Sequence, residues 1–214
     1  MFYKIPSFLF RVISEMSVGL GFYKKSLLLL FETNQTLYFS MKIIHCTENH
    51  LDELIWVAKQ SFIDAFEKQT ERDNFQAYVS KAFEPTSVLA ELQHPQSIFF
   101  FLQTDEGETV GYLKLRWDRS EEFFATEKAI ELQRIYLLEK FWNKGFGKIL
   151  LEFSESYSRE QGFEWIYLIV WFKNQGAIKF YEREGWAIFG NKDFQFGNEI
   201  HHDFALRKSL LVAG

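Results

Sequence analysis

An apolar strand, a loop with two glycines and an amphipathic helix follow one another between residues 129 and 161. Residues 129–138 (AIELQRIYLL) have the length and apolar content of a long strand. The loop FWNKGFGK then opens a predicted helix at residues 147–161, whose apolar side chains share one face. Trp165–Val170 (WIYLIV) is a continuous apolar run, which is typical of a strand covered on both faces. This succession indicates an α/β fold.

The remaining segments complete one domain. Apolar patterns of strand type predict further strands at residues 42–46, 97–103, 109–117, 186–190 and 202–208. Patterns of helical spacing predict further helices at residues 51–66, 73–82, 87–92 and 175–184. The expected fold class is α/β: a mixed, mostly antiparallel sheet of about six to seven strands with helices on both faces.

The charge and the cysteine content restrict the partners. The net charge is -5 and the pI is about 5.6, which argues against nonspecific nucleic-acid binding, because that needs a basic surface. Cys46 is the one cysteine, so no internal disulfide can form, and no Cys/His cluster indicates a zinc site. We expect a cytoplasmic protein without a metal.

Residues 1–40 differ from the rest of the chain. Their apolar stretches are interrupted by charges, so no run approaches the roughly 20 apolar residues of a membrane span. The order of a secretory signal is also missing. We predict a working domain at residues 41–210, preceded by an extension that is poorly ordered or outside the domain. The alternative is an amphipathic segment that docks on the domain or on a membrane surface.

The sequence Gly145-x-Gly147 lies where a strand passes into a helix. The first main-chain N–H groups of a helix lack internal partners and favour an anion, and glycine lets the backbone approach phosphate oxygens closely. Lys144 and Lys148 add positive charge. The spacing does not fit a P-loop or a dinucleotide-binding fingerprint. Without further context, a simple tight turn is the favoured interpretation.

Two motifs in order resemble the GNAT superfamily of N-acetyltransferases. The family pattern Arg/Gln-x-x-Gly-x-Gly/Ala after a strand matches RIYLLEKFWNKGFGKILLE, and its Asn-x-x-Ala-x-x-x-Tyr-x-x-x-Gly-Phe segment matches NQGAIKFYEREGW. In the second motif the matching residues are Asn174, Ala177, Tyr181, Gly185 and Trp186. The resemblance covers about residues 41–208. One departure stands out: Trp142 occupies the position where the family usually has Arg or Gln.

The resemblance implies acetyl-CoA as the acetyl donor and a cleft between splayed strands. The main chain of the loop would hold the diphosphate, namely at Trp142, Asn143, Lys144, Gly145, Phe146, Gly147 and Lys148. The pantetheine arm would pair with the main chain of the preceding strand, at Ile135, Tyr136 and Leu137. Asn174 would cap its helix and contact the cofactor.

Acetyl transfer needs a neutral amine and a proton donor for the leaving thiolate. Tyr181 stands at the family's general-acid position; a core tyrosine on an amphipathic helix is the alternative. Glu131, at the start of the long strand, is the candidate base that takes the proton from the amine. An exposed carboxylate at a strand end is the alternative interpretation of Glu131, and the residue pattern favours it.

The C-terminal stretch DFQFGNEIHHDFALRK resembles the spermidine/spermine N-acetyltransferase branch through Phe194, Gly197 and Asp203. The implied acceptor is a primary amine of a small molecule. Glu199 and Asp203 are candidates to receive a positive charge of that molecule, and ordinary solvated carboxylates are the alternative. His201 and His202 point to opposite faces of a strand, so we do not expect them to share a metal ion.

Two alternatives to this enzyme remain open at this stage. The first is a CoA-binding sensor or interaction module without turnover, suggested by Trp142. The second is an acetyltransferase that acts on the N-terminus of a peptide or protein. Aromatic side chains in the last strands would suit a homodimer.

Overall fold

The chain forms one eight-stranded sheet in the computed structural model, which describes residues 24–29, 39–118, 123–124, 128–196 and 199–211. In chain order, the strands are Lys24–Leu29 (β1), Phe39–His45 (β2), Ser97–Thr104 (β3), Thr109–Arg116 (β4), Ala129–Leu137 (β5), Trp165–Val170 (β6), Ala187–Phe196 (β7) and Glu199–Ser209 (β8). Their spatial order is β1-β2-β3-β4-β5-β6-β8-β7. Within this sheet β5 and β6 are parallel and the other neighbours are antiparallel. The mixed, mostly antiparallel sheet is therefore confirmed.

Five helices cover the sheet in the described part of the chain. They are Leu51–Phe66 (α1), Arg72–Ala82 (α2), Pro85–Leu92 (α3), Phe146–Glu160 (α4) and Gln175–Arg183 (α5). Each begins or ends within two residues of the sequence prediction. Pro85 occupies the first turn of α3, where its missing N–H costs no helical hydrogen bond.

The two faces of the sheet carry separate apolar layers. Along β3, Phe100 and Leu102 belong to the layer that includes α4, whereas Phe99 and Phe101 belong to the layer under α1, α2 and α3. This alternation follows from the two-residue repeat of a strand. Helices on both faces of the sheet are therefore confirmed.

The predictions differ from the structure at both ends of the sheet. Strands β7 and β8 are longer than the predicted segments 186–190 and 202–208, because a hairpin also pairs residues 191–196 with residues 199–204, where apolar residues are sparse. At the other edge, Lys24–Leu29 pairs with β2. Most of residues 1–40 lie outside the described residues, so the predicted domain boundary at Met41 stays a prediction.

Candidate active site

The parallel strands β5 and β6 separate shortly after they begin to pair. Their ladder contains three residue pairs and ends at Glu131 opposite Tyr167, although β5 continues to Leu137 and β6 to Val170. The parted ends enclose a cavity of about 270 Å³, which α1, α4 and α5 complete. The sheet therefore has the splayed cleft that the sequence resemblance implies.

The main chain of β5 offers two residues to this cleft. Leu138 donates its N–H to the carbonyl of Val110 on β4, so the main chain of Leu138 is turned toward β4. The hydrogen-bonding direction of the main chain alternates along a strand. The main-chain N–H and C=O groups of Leu137 and Ile135 therefore face the cleft, and those of Tyr136 face β4. This corrects one prediction: Tyr136 lines the cavity with its side chain, and its main chain is not placed to pair with a pantetheine arm.

The loop after β5 contains a row of main-chain N–H groups without main-chain partners. Asn143 has a φ of 60° and Gly145 a φ of 85°, two left-handed residues that bend the chain into α4. Trp142 and Lys148 already donate their main-chain N–H groups, to the carbonyls of Glu139 and Gly145. In the described structure, the five N–H groups from residue 143 to residue 147 make no main-chain hydrogen bond. Five of the seven predicted residues therefore have a main-chain N–H group available to an anion, and the diphosphate site stays a prediction.

The lysines of the loop contribute less charge than the sequence suggests. The ammonium of Lys148 lies 2.7 Å from a carboxylate oxygen of Glu184, and this hydrogen bond raises the pKa of Lys148 above its usual value. The ammonium of Lys144 lies 5.6 Å from the ring centre of Phe141. The positive end of α4 and the free N–H groups therefore provide most of the attraction for an anion.

Tyr181 lines the cavity from α5 and is 8% exposed. Its ring lies 5.8 Å from that of Trp186, whose indole N–H donates to the carboxylate of Glu155 on α4 at 3.0 Å. Burial raises the pKa of Tyr181 far above its usual value, and Tyr136 adds to this effect. The phenol is therefore protonated throughout the neutral range and can only donate a proton there.

Asn174 is the N-cap residue of α5. Its side-chain oxygen accepts a hydrogen bond from the N–H of Ala177 at 3.1 Å, which caps α5. Asn174 also lines the cavity. A contact with the acetyl donor stays a prediction.

Glu131 does not line the cavity. It lies where β5 still pairs on both sides, opposite Arg116 on β4 and Tyr167 on β6. Its side chain feels the positive charge of Arg116. Glu131 is therefore not brought together with Tyr181 by the cavity, and its role as the base stays a prediction.

The C-terminal residues are only partly described. Asp203 is buried, and its carboxylate accepts a hydrogen bond from the N–H of Phe172 at 3.4 Å, next to the cavity-lining Trp171. His202 lies 2.5 Å from Asp193. Gly197 and the side chains of Phe194, Glu199 and His201 lie outside the described residues.

Two groups in the cavity were not predicted. Phe66 and Trp171 form an aromatic wall with Tyr136, with ring centres about 6 Å apart. Gln133 stands at the closed end of the cleft. Neither could be found from sequence spacing, because Phe66 reads as a core residue of α1 and Gln133 as one polar residue of a strand.

Two features are absent from the described residues. No group of three or more His, Cys, Asp or Glu side chains is placed to hold a metal ion there. In the same part of the chain, no helix combines the length and the apolar content needed to cross a membrane.

Comparison with known proteins identifies the family. The sequence profile of the acetyltransferase (GNAT) family matches residues 51–186. An uncharacterised N-acetyltransferase from the pepI 3′ region of Lactobacillus delbrueckii subsp. lactis is 33% identical over 171 residues, which are 80% of this chain and 98% of that protein.

Two solved structures share the fold. The PaiA N-acetyltransferase of Thermoplasma acidophilum, solved with coenzyme A, has a TM-score of 0.64 at 21% identity and covers 79% of this chain and 99% of its own. The spermidine/spermine N-acetyltransferase SpeG of Vibrio cholerae has a TM-score of 0.58 at 15% identity and covers 79% of this chain and 92% of its own. The chain belongs to the acetyltransferase (GNAT) family, and it is an acyltransferase that takes its acetyl group from acetyl-CoA.

Proposed function

We propose that this enzyme acetylates a primary amine of a small molecule. The observation that carries the proposal is the row of unpartnered N–H groups at residues 143–147, at the mouth of a cavity that Tyr181 also lines. A diphosphate held by those groups would direct the pantetheine arm along Leu137 and Ile135 into the cleft. The thioester would then lie near Tyr181 and the closed end.

The side chains around the cavity suit attack by a neutral amine. The described lining holds no Asp, Glu, Lys, Arg or His, so an ammonium ion has no counter-charge there and the neutral amine is favoured. The amine lone pair forms the new C–N bond, and the C–S bond breaks with its electron pair remaining on sulfur. Tyr181 protonates that thiolate and recovers its proton from solvent, while the proton of the amine passes to water.

A polyamine is the narrower candidate for the acceptor. It rests on the resemblance of the C-terminal stretch to the spermidine/spermine branch; the likeness to SpeG supports the fold alone. The uncharged cavity would accept one amine of such a molecule. Asp203, beside the N–H of Phe172 and next to Trp171, is a carboxylate that could receive a second, charged amine.

One assay tests the function. Purified protein is mixed with acetyl-CoA and each member of a panel containing spermidine, simple monoamines and peptides with free N-termini, and the released thiol is measured. Saturable thiol release with a small amine is the expected result. Release with peptides alone would establish the N-terminal acetyltransferase instead, and tight CoA binding without any release would establish the module without turnover.

Two other predictions concern the cellular location and the oligomeric state. We propose a cytoplasmic setting, which the single buried thiol of Cys46 supports. The homodimer stays a prediction that sedimentation would test.

A further inference from the structure

Gln133 is an extra residue in β5. Across the ladder, Lys114 pairs with Arg134 and Leu115 pairs with Leu132, so Gln133 has no partner on β4. It follows Glu131, the last residue of β5 that pairs with β6, by two positions. This bulge places Gln133 at the point where the cleft opens, and Gln133 lines the cavity there.

The side chain of Gln133 makes no hydrogen bond within the described structure. Its Oε1 is closed off from solvent and has no hydrogen-bond partner, and no described residue bonds its Nε2. Nε2 is not closed off in the same way, so it is the atom that can meet a molecule in the cavity. Asn174 is different, because its carboxamide already caps α5.

A carboxamide without partners is unfavourable inside a protein. A buried polar group that lacks a hydrogen bond costs on the order of 1–3 kcal/mol. An apolar side chain would fill the same wall without that cost, since Leu132, Ile135 and Leu168 surround the cleft. A molecule in the cavity cannot reach the closed-off Oε1, so the bulge and the Nε2 beside the cavity are the features that point to a ligand group.

We propose that Gln133 is a catalytic residue whose Nε2 donates a hydrogen bond to the carbonyl oxygen of the acetyl group. The proposal rests on the proposed function, because it takes the direction of the thioester from the diphosphate site. A pantetheine arm that pairs with Leu137 and Ile135 carries the thioester toward Gln133. As the amine attacks, the carbonyl π electrons move onto oxygen, and they return when the C–S bond breaks.

The hydrogen bond strengthens during the reaction. The carbonyl oxygen is neutral in the thioester and negative when the carbon is tetrahedral, so a fixed N–H donor stabilises the transition state more than the bound substrate. Because a carboxamide does not ionise, this contribution is independent of pH. It complements Tyr181, which acts on the sulfur.

The experiment compares Gln133→Leu, Gln133→Glu and wild type in the thiol assay with the best amine of the panel. We expect kcat to fall about 100-fold in Gln133→Leu, the usual effect of removing one such donor. Gln133→Glu should be no more active, because an ionised carboxylate cannot donate and repels the developing negative charge. Gln161→Leu, an exposed position at the end of α4, is the matched control and should keep wild-type kcat.

A titration with coenzyme A without the acetyl group shows whether each variant is folded and binds. We expect its Kd to change less than about threefold in all variants, because this ligand lacks the carbonyl. Wild-type kcat in Gln133→Leu would overturn the proposal, and so would an active Gln133→Glu. If wild type itself releases no thiol with any amine, the proposed function fails first, and the two failures are thus distinguishable.

Discussion

The indole N–H of Trp142 donates a hydrogen bond to the main-chain carbonyl of Leu137, with 2.9 Å between Nε1 and oxygen. That carbonyl faces the cleft, where a strand-like pairing with a pantetheine amide would need it. Trp142 is also the residue that departs from the family pattern. The departure therefore has a physical consequence. The indole of Trp142 competes with the proposed pantetheine arm for the carbonyl of Leu137.

Replacing Trp142 by Phe should strengthen coenzyme A binding. The ring remains, but the carbonyl of Leu137 no longer has to exchange an internal hydrogen bond for one to the ligand. We expect Kd to fall by up to about tenfold, since such a bond contributes about 0.5–1.5 kcal/mol. The free variant should lose about 1 kcal/mol of unfolding free energy for the same reason. Calorimetric titration and denaturant unfolding measure the two effects.

Trp56→Phe is the control for this change, because Trp56 is 56% exposed on α1 and does not line the cavity. It should alter neither quantity. If Trp142→Phe weakened binding more than threefold, the indole would be part of the binding surface and the competition would be disproved.

Tyr181→Phe should lower kcat by about 100-fold while KM for acetyl-CoA changes little. The phenol acts on sulfur only as the C–S bond breaks, and general-acid groups contribute about 10²–10⁴-fold. Because burial and Tyr136 raise its pKa, wild-type kcat should show no loss from Tyr181 ionisation up to about pH 10, the usual tyrosine value.

Tyr157→Phe is the matched control for Tyr181, since both side chains are 8% exposed and Tyr157 lies on α4 away from the cavity. Steady-state kinetics of the two variants separate chemistry from packing. Equal turnover in wild type and Tyr181→Phe would remove Tyr181 from the acid role.

Gly147→Asp should abolish coenzyme A binding without unfolding the protein. A Cβ at Gly147 would meet one side-chain atom of Leu137, 3.9 Å away, so the fold has room for it. The added carboxylate would instead occupy the cavity and repel the diphosphate. Gly145→Asp should also abolish binding, and its left-handed φ of 85° adds backbone strain.

Gly162→Asp controls for that strain, because Gly162 has a φ of 81° and open space around it, at the opposite end of α4. It should lose similar stability to Gly145→Asp and bind coenzyme A normally. Retained affinity in Gly147→Asp would refute the diphosphate site. Thermal melting measures the stability of each variant, and calorimetric titration measures its affinity for coenzyme A.

The sequence predicted the elements that local patterns determine. The apolar run of β6, the amphipathic face of α4 and the cap at Asn174 depend on neighbouring residues, so their periodicity identified them. The loop at Gly145 was predicted because glycine lets the backbone approach phosphate oxygens closely. The structure adds that Gly145 is left-handed, with a φ of 85°, which also favours glycine.

What the sequence could not predict depends on contacts between distant segments. The direction of the Tyr136 main chain follows from its pairing with β4, and the bulge at Gln133 from a shift in that ladder. The carboxylate of Glu184 that engages Lys148 comes from the end of another helix. The periodicity of a sequence does not encode such contacts. The positive charge of Lys148 was therefore assigned to the loop, although Glu184 neutralises it in the structure.

Lys114 supplies a pH-dependent prediction on the opposite face of the sheet. Its side chain is 2% exposed, and its ammonium lies 3.0 Å from Glu91, which also binds Arg134 through two hydrogen bonds. Burial, together with the neighbouring charge of Arg134, lowers the pKa of Lys114 to about 8, although Glu91 offsets part of the shift. The charged lysine is therefore a cost to the folded state.

Lys114 should raise the unfolding free energy of wild type between pH 8 and about pH 10. In that range the folded protein loses the lysine proton before the unfolded chain does, so the unfolded state binds more protons. One pKa unit corresponds to about 1.4 kcal/mol, so the gain should be on the order of 1 kcal/mol or more. Cys46 opposes this rise above about pH 9, because burial raises the pKa of its thiol, so that unfolded cysteine ionises first. Above pH 10 four buried tyrosines, Tyr78, Tyr112, Tyr136 and Tyr181, lower the unfolding free energy further, because their raised pKa values keep them protonated while unfolded tyrosines ionise.

Lys114→Met should remove this rise and should be at least as stable as wild type at pH 7. Methionine fills a similar volume, and Glu91 keeps its paired hydrogen bonds to Arg134. Denaturant unfolding at pH 7, 8, 9 and 10 measures the difference, with Lys42→Met at a partly exposed ion pair with Asp105 as the control. If the unfolding free energies of wild type and Lys114→Met run parallel from pH 7 to pH 10, Lys114 is solvated or fully compensated in the folded protein. If the two unfolding free energies converge toward pH 10, the difference in slope belongs to the buried ammonium of Lys114.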